Sequence, residues 1–95
     1  MARQNVSTGG PWEGKIGYSR AVRVGQSVQV SGTTAMTGAG LVGKEDPYAQ
    51  TIQALKTIEA ALVQAGASIA DVVRTRIYMA NIDQWQEVGR AHGEV

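Results

Sequence analysis

The stretch from Asp46 to Gly66 is the most regular in the chain and sets the terms for the rest. Asp46-Pro47 is a strong helix start, an N-cap carboxylate followed by proline at the first helical position. Ile52, Leu55, Ile58, Leu62 and Ala65 then recur at helical spacing and leave Gln53, Lys56, Glu59 and Gln64 outward. Gly66 ends the helix as a left-handed cap. An amphipathic stripe of this kind must be buried against another element, and the candidates are strands.

Val28-Gln29-Val30-Ser31-Gly32-Thr33-Thr34 begins as an alternating apolar strand and ends in hydroxyls around a glycine. Such a strand end carries polar groups and exposed backbone to a sheet edge, where small-molecule sites often form. A preceding strand is predicted from about Ile16 to Val24. A two-residue turn would set Val24 opposite Ser27 and mix apolar with polar residues on each face. A three-residue turn, Gly25-Gln26-Ser27, sets Val24 opposite Val28 and keeps one apolar face, so it is favoured. Residues 1–15 read as a polar lead in which Trp12 covers a core edge. Residues 37–44 read as a glycine-rich loop, with a short strand at Leu41–Val42. Its Gly38…Gly43-Lys44 spacing imitates a phosphate-binding loop, but Glu45 stands where a hydroxyl is needed.

After a turn at 67–71, Val72–Met79 is predicted as a strand with Val73, Thr75, Ile77 and Met79 on one face. Arg74, Arg76 and Tyr78 share the other, which needs water, an anion or a partner chain. Asp83 with Gln86 predicts a second helix, whose stripe is Trp85, Val88, Ala91 and Val95. Gly89 and Gly93 lie on one side of it and predict close backbone packing. Val95 falls in mid-pattern without a C-cap, so further elements are expected beyond it.

Ninety-five residues form one domain, 1–95. The chain has no Phe, so its core is thin and oligomerisation is an expected remedy. A net charge of +1 argues against a nucleic-acid or membrane surface. The absence of Cys and the single His92 argue against a thiol nucleophile and a zinc site. The N-terminus opens no apolar run, and the chain reads as a cytoplasmic protein.

Three patches together resemble the RidA/YjgF family of reactive-intermediate (enamine/imine) deaminases, older descriptions of which read endoribonuclease L-PSP. They are Val28-Gln29-Val30-Ser31-Gly32, Gln50-Thr51-Ile52-Gln53-Ala54-Leu55 with Ile58-Glu59, and Ala65-Gly66-Ala67 through Asp71-Val72-Val73-Arg74-Thr75. The resemblance implies an α+β, chorismate-mutase-like sandwich, a mixed sheet with two helices on one face. It also implies a homotrimer with a site in each cleft between subunits. The implied reaction hydrolyses an imine, formed from an enamine, to a 2-keto acid and ammonia, without metal or organic cofactor. A cation would hold the substrate carboxylate and a polar group would position the water. In typical members an arginine and a glutamate on the last two strands do this, and the matching strands would follow Val95.

Ser31 and Gly32 match the family's substrate-binding strand end, and Thr33 adjoins them. The family's Gly-Pro-Tyr is replaced by Gly17-Tyr18-Ser19, which sets Ser19 on the matching site with Tyr18 one step early. Arg74 or Arg76 could bind a carboxylate, and His92 could act as a base. On the second helix, Gly89 and His92 stand where many members have Asn and Tyr. The alternative reading is a non-catalytic trimer of the same fold that binds small carboxylates or partner proteins. Ribonuclease activity, carried only by the older name, is disfavoured by the near-neutral charge and the lack of a His/Lys constellation.

Overall fold

The computed structural model describes residues 2–7, 9–10 and 12–95. Three antiparallel strands form the main sheet in the order β1 (Arg3–Val6), β2 (Ala21–Val24), β3 (Ser27–Val30). A helical turn, α1 (Glu13–Ile16), separates β1 from β2. A small hairpin follows, β4 (Met36–Thr37) with β5 (Gly40–Leu41). Then come the long helix α2 (Pro47–Gln64) and, after two 3₁₀ turns, α3 (Trp85–Glu94).

Helix α2 has the ends that the sequence reads, but of its predicted stripe only Leu62 and Ala65 are buried, beside Ala61, while Ile52, Leu55 and Ile58 are half-buried. Asp46 Oδ1 accepts from the Ala49 N–H at 3.1 Å, and Gly66 takes φ +84°. The Ala67 N–H returns to the Leu62 carbonyl at 2.8 Å, closing the helix end. Val6 and Ala21 from the sheet pack against Ala61 and Ala65 of α2, with Val28 and Val30 partly buried beside them. This face is small. Alanines supply most of its helix side, so the strands approach α2 closely.

The hairpin register differs from the expected one. Val24 lies opposite Ser27, and Ala21 opposite Val30, across a two-residue turn at Gly25-Gln26. Gly25 has φ +60°, the positive value that a two-residue hairpin turn needs at its first position. Arg23 therefore shares the helix-facing side with Ala21, Val28 and Val30. The charge is tolerated because its Nη1 donates to the Ala65 carbonyl at 2.7 Å and its Nε to the Gly25 carbonyl at 3.0 Å. An arginine at a helix C-terminus satisfies an orphan carbonyl and complements the helix dipole. Alternation counts a polar residue as solvent-facing, whereas Arg23 turns inward to cap a helix.

Other expectations are also corrected. Residues 16–20 are not strand; Gly17, at φ +86°, closes α1, and β2 begins only at Ala21. Part of the polar lead is a strand, β1, which pairs with β2 and buries only Val6. An edge strand with one apolar contact leaves almost no periodicity to read. The short strand near residue 41 spans Gly40–Leu41. Segment 72–80 holds no ladder partner among the described residues. Its Val73 is 98% exposed and Tyr78 84%. Alternation marks what could be a strand, but a strand exists only when a neighbour supplies hydrogen bonds.

On α3, Val88 and Ala91 are buried as expected, but Trp85 is 58% exposed and is not core. Asn81, not Asp83, caps the approach, its Oδ1 accepting from the Asp83 N–H at 3.1 Å. Gly89 and Gly93 face open space: among the described residues, nothing beyond their chain neighbours and the helix's own backbone lies within 4 Å of where a Cβ would stand. The first turn of α2 is joined to the last turn of α3. The Tyr48 hydroxyl donates to Glu94 Oε1, and the Arg90 guanidinium stacks 4.0 Å from the Tyr48 ring centroid. Among the described residues, no helix is long and apolar enough to cross a membrane.

Candidate functional site

The strand end that the sequence singles out opens onto a cavity of about 560 Å³ between the sheet and the outward side of α2. Gly32, Thr33 and Thr34 follow β3 and form one wall. Tyr18 and Arg20, just before β2, form its base. Gln53, Lys56 and Thr57 rise from α2 on the far side. These are residues of the helix's polar flank, so the amphipathic pattern that buries Leu62 and Ala65 also aims Lys56 at the cavity. Trp12 and Met36 also line it.

Arg20 organises the strand end. Only 8% of the residue is exposed. Its Nη1 donates to the Gly32 carbonyl at 2.7 Å and to Thr33 Oγ1 at 3.2 Å. Its Nη2 lies 3.3 Å from the Tyr18 hydroxyl, and the guanidinium sits 5.4 Å from the Tyr18 ring centroid. The Arg20 Nε is buried and has no hydrogen-bond partner among the described residues. Close by, Glu13 Oε2 accepts from the Gly10 N–H at 2.8 Å. A Cβ on Gly10 would come within 2.8 Å of that oxygen and 3.5 Å of Arg20 Nη2, so glycine is what lets this loop lie over the pair.

Gly32 and Thr33 thus line the cavity, and Thr33 already donates its hydroxyl proton to the Ser31 carbonyl at 2.8 Å. Ser31 does not line it. Its hydroxyl donates to the Ser19 carbonyl at 2.6 Å, tying the strand end to the segment before β2. Ser19 is present through that carbonyl. Arg74 and Arg76 are exposed on segment 72–80, away from the cavity lining. His92 lies on α3, its Nε2 3.0 Å from Thr75 Oγ1. The structure therefore joins Gly32 and Thr33 to residues that sequence reasoning passed over, Arg20, Lys56 and Trp12, and to Tyr18. The signal for Arg20 was available: a full charge directly beside the apolar run Ala21-Val22 has to be either exposed or partnered.

A second, shallower depression of about 320 Å³ lies by Arg3, Gln4 and Arg23 at the ends of β1 and β2. Arg23 is committed to capping α2, and Arg3 Nε donates to Asn5 Oδ1 at 2.9 Å.

Strands, helices and cavity together define an α+β domain of the chorismate-mutase-like kind with a polar strand-end pocket. Residues 13–95 match the sequence model of the family described as Endoribonuclease L-PSP. A solved Mycobacterium tuberculosis structure from the highly conserved YjgF family is 52% identical. It superimposes with a TM-score of 0.86, covering 98% of this chain and 73% of that one. A Yersinia pestis protein of the conserved Rid family is 28% identical with a TM-score of 0.82, covering 98% and 75%. An uncharacterized Streptomyces coelicolor protein is 44% identical over 94 residues, 99% of this chain and 70% of that protein. A RutC family protein of Pyrococcus abyssi is 31% identical over 78 residues, 81% of this chain and 61% of that protein. The chain belongs to the RidA/YjgF family.

Proposed function

We propose that the protein is a cofactor-free hydrolase of enamine and imine intermediates, releasing a 2-keto acid and ammonia in clefts between the subunits of a homotrimer. What carries this reading is the cavity at the Gly32–Thr34 strand end in a chain of the RidA/YjgF family. In the reaction, water adds to the imine carbon and gives up a proton to a neighbouring acceptor. The carbon–nitrogen bond then breaks toward nitrogen, and ammonia leaves as the carbonyl forms. The site's part is to hold the carboxylate still and to orient the water. Thr33 Oγ1 donates to Ser31 and accepts from Arg20, which leaves one lone pair to accept from a water. Arg20 pins the Gly32 carbonyl and so fixes the backbone at the strand end.

The second reading, a trimer that binds small carboxylates without turning them over, is favoured by one observation. The described residues lining the cavity include no Asp, Glu or His, so this chain puts no ordinary general base there. Ammonia release from 2-aminoacrylate, generated in place by a pyridoxal-dependent dehydratase, separates the two. Acceleration above the spontaneous rate supports the hydrolase; an unchanged rate with intact carboxylate binding supports the binding module.

A further inference from the structure

We infer that Glu13 is a positioning residue for this cavity: its buried carboxylate holds the Arg20 guanidinium, and through Arg20 it fixes the wall at Gly32 and Thr33. The inference rests on reading the cavity as the substrate site. Glu13 itself is not on the lining.

Glu13 and Arg20 are the buried charged residues among those described, and their signs are opposite. Glu13 opens α1, and Arg20 directly precedes β2. A helical turn held by hydrophobic contact would bury Ile16. This one turns Ile16 to solvent and Glu13 inward, so Glu13 is the residue of α1 that is buried. Burying a carboxylate is costly unless a cation stands by. The other cation of α1, Lys15, is exposed and lies over the Trp12 ring, 5.3 Å from its centroid. Arg20 is the cation at hand. The point where a Gly10 Cβ would stand is within 3.5 Å of both Glu13 Oε2 and Arg20 Nη2, close enough for each charge to favour the other's ionised form. The carbonyls that take the Arg20 protons satisfy its hydrogen bonds, but they are neutral. Glu13 supplies the opposite charge.

The couple reaches the wall through two sets of bonds. Backbone pairing between the strands beside the cavity ends where the Ser31 N–H donates to the Arg20 carbonyl at 2.9 Å. Beyond it, the Gly32 carbonyl and Thr33 Oγ1 are tied to the segment before β2 by Arg20 Nη1. On the other side Glu13 Oε2 accepts from the N–H of Gly10, which is itself on the lining. A displaced guanidinium would therefore release the wall, and loss of the carboxylate would loosen both sides together.

The test uses the full chain without ligand, as Glu13→Gln, Arg20→Gln, the double variant, and Glu59→Gln on the exposed side of α2 as control. In amide nitrogen–proton NMR spectra, Glu13→Gln should displace the Gly32 and Thr33 signals, although the carboxylate's own bond is to Gly10; Glu59→Gln should leave them in place. Arg20→Gln strands a buried carboxylate and should lower the melting temperature by about 10 °C or more. Adding Glu13→Gln should recover at least about half of that loss, because the neutral pair leaves no charge buried. If Arg20→Gln does not fold, the double variant must. A double variant no more stable than Arg20→Gln, or unmoved Gly32 and Thr33 signals in Glu13→Gln, overturns the inference. Ammonia release by the unaltered protein is measured in parallel. Rescue and displaced signals without release remove the hydrolase reading and leave the positioning role standing, and release without rescue does the reverse.

Discussion

Arg23 and Arg20 show how much a single side chain decides in a core this small. Each lies on or beside a buried strand, and each is tolerated because backbone carbonyls receive its protons. Replacing Arg23 with Ala should cost about 1–2 kcal/mol, since the Ala65 carbonyl loses its partner at the end of α2. Urea unfolding followed by circular dichroism measures this, and an unchanged midpoint would mean that water replaces the guanidinium. Gly66 is constrained twice. It holds φ +84°, and an added Cβ would stand 2.7 Å from Arg23 Nη1. Gly66→Ala should therefore destabilise by about 1–2 kcal/mol, read in the same unfolding curves. Both arginines were visible as letters, but only the fold says which carbonyls stand opposite them.

At the scale of elements, α2 was legible because every signal agreed: Asp46 and Pro47 at the start, a helical stripe, Gly66 at the end. Removing the cap with Asp46→Ala should cost about 1 kcal/mol, measurable by thermal unfolding. α3 was legible in position and misread in detail. Its glycines implied a close neighbour, yet Gly89 faces open space. Gly89→Ala should then stabilise the protein by about 0.5–1 kcal/mol, as propensity alone would have it; a lower melting temperature would show a neighbour at that face in the assembled protein. β1 and segment 72–80 fail in opposite ways. Polar Arg3-Gln4-Asn5 pairs because β2 is beside it, while alternating residues 72–79 stay unpaired because no strand reaches them among the described residues.

At the scale of the molecule, the helix layer is fastened by the hydrogen bond from Tyr48 to Glu94. That bond, donated to a carboxylate, holds the Tyr48 phenol above the usual tyrosine range. A folded-state pKa raised above the unfolded one contributes stability that is complete below about pH 10 and is lost as pH rises through the folded value. The stability gap between the protein and Tyr48→Phe should accordingly hold steady from pH 7 to 9 and shrink at higher pH, in urea titrations at each pH. Assembly is a separate question. If the Arg74, Arg76 and Tyr78 side of segment 72–80 meets another subunit, as the trimer proposal holds, Arg76→Glu should lower the mass seen by light scattering. An unchanged mass would free that surface from any role in assembly.

Taken by itself, the sequence determined the elements whose information is local: a capped amphipathic helix, a hydroxyl-rich strand end, an apolar second-helix stripe at Val88 and Ala91. Its three patches also carried the family, because they span strand, helix and turn together. Tertiary structure alone decided the register of β2 on β3, the pairing of β1, and the company Gly32 and Thr33 keep. Those depend on residues far apart in the chain. Arg23 meets Ala65, Gln4 Nε2 donates to the Gln64 carbonyl, and Lys56 and Arg20 line one cavity only after α2 has closed over the sheet. Periodicity records which side of an element is buried, and it is silent on what stands across from it.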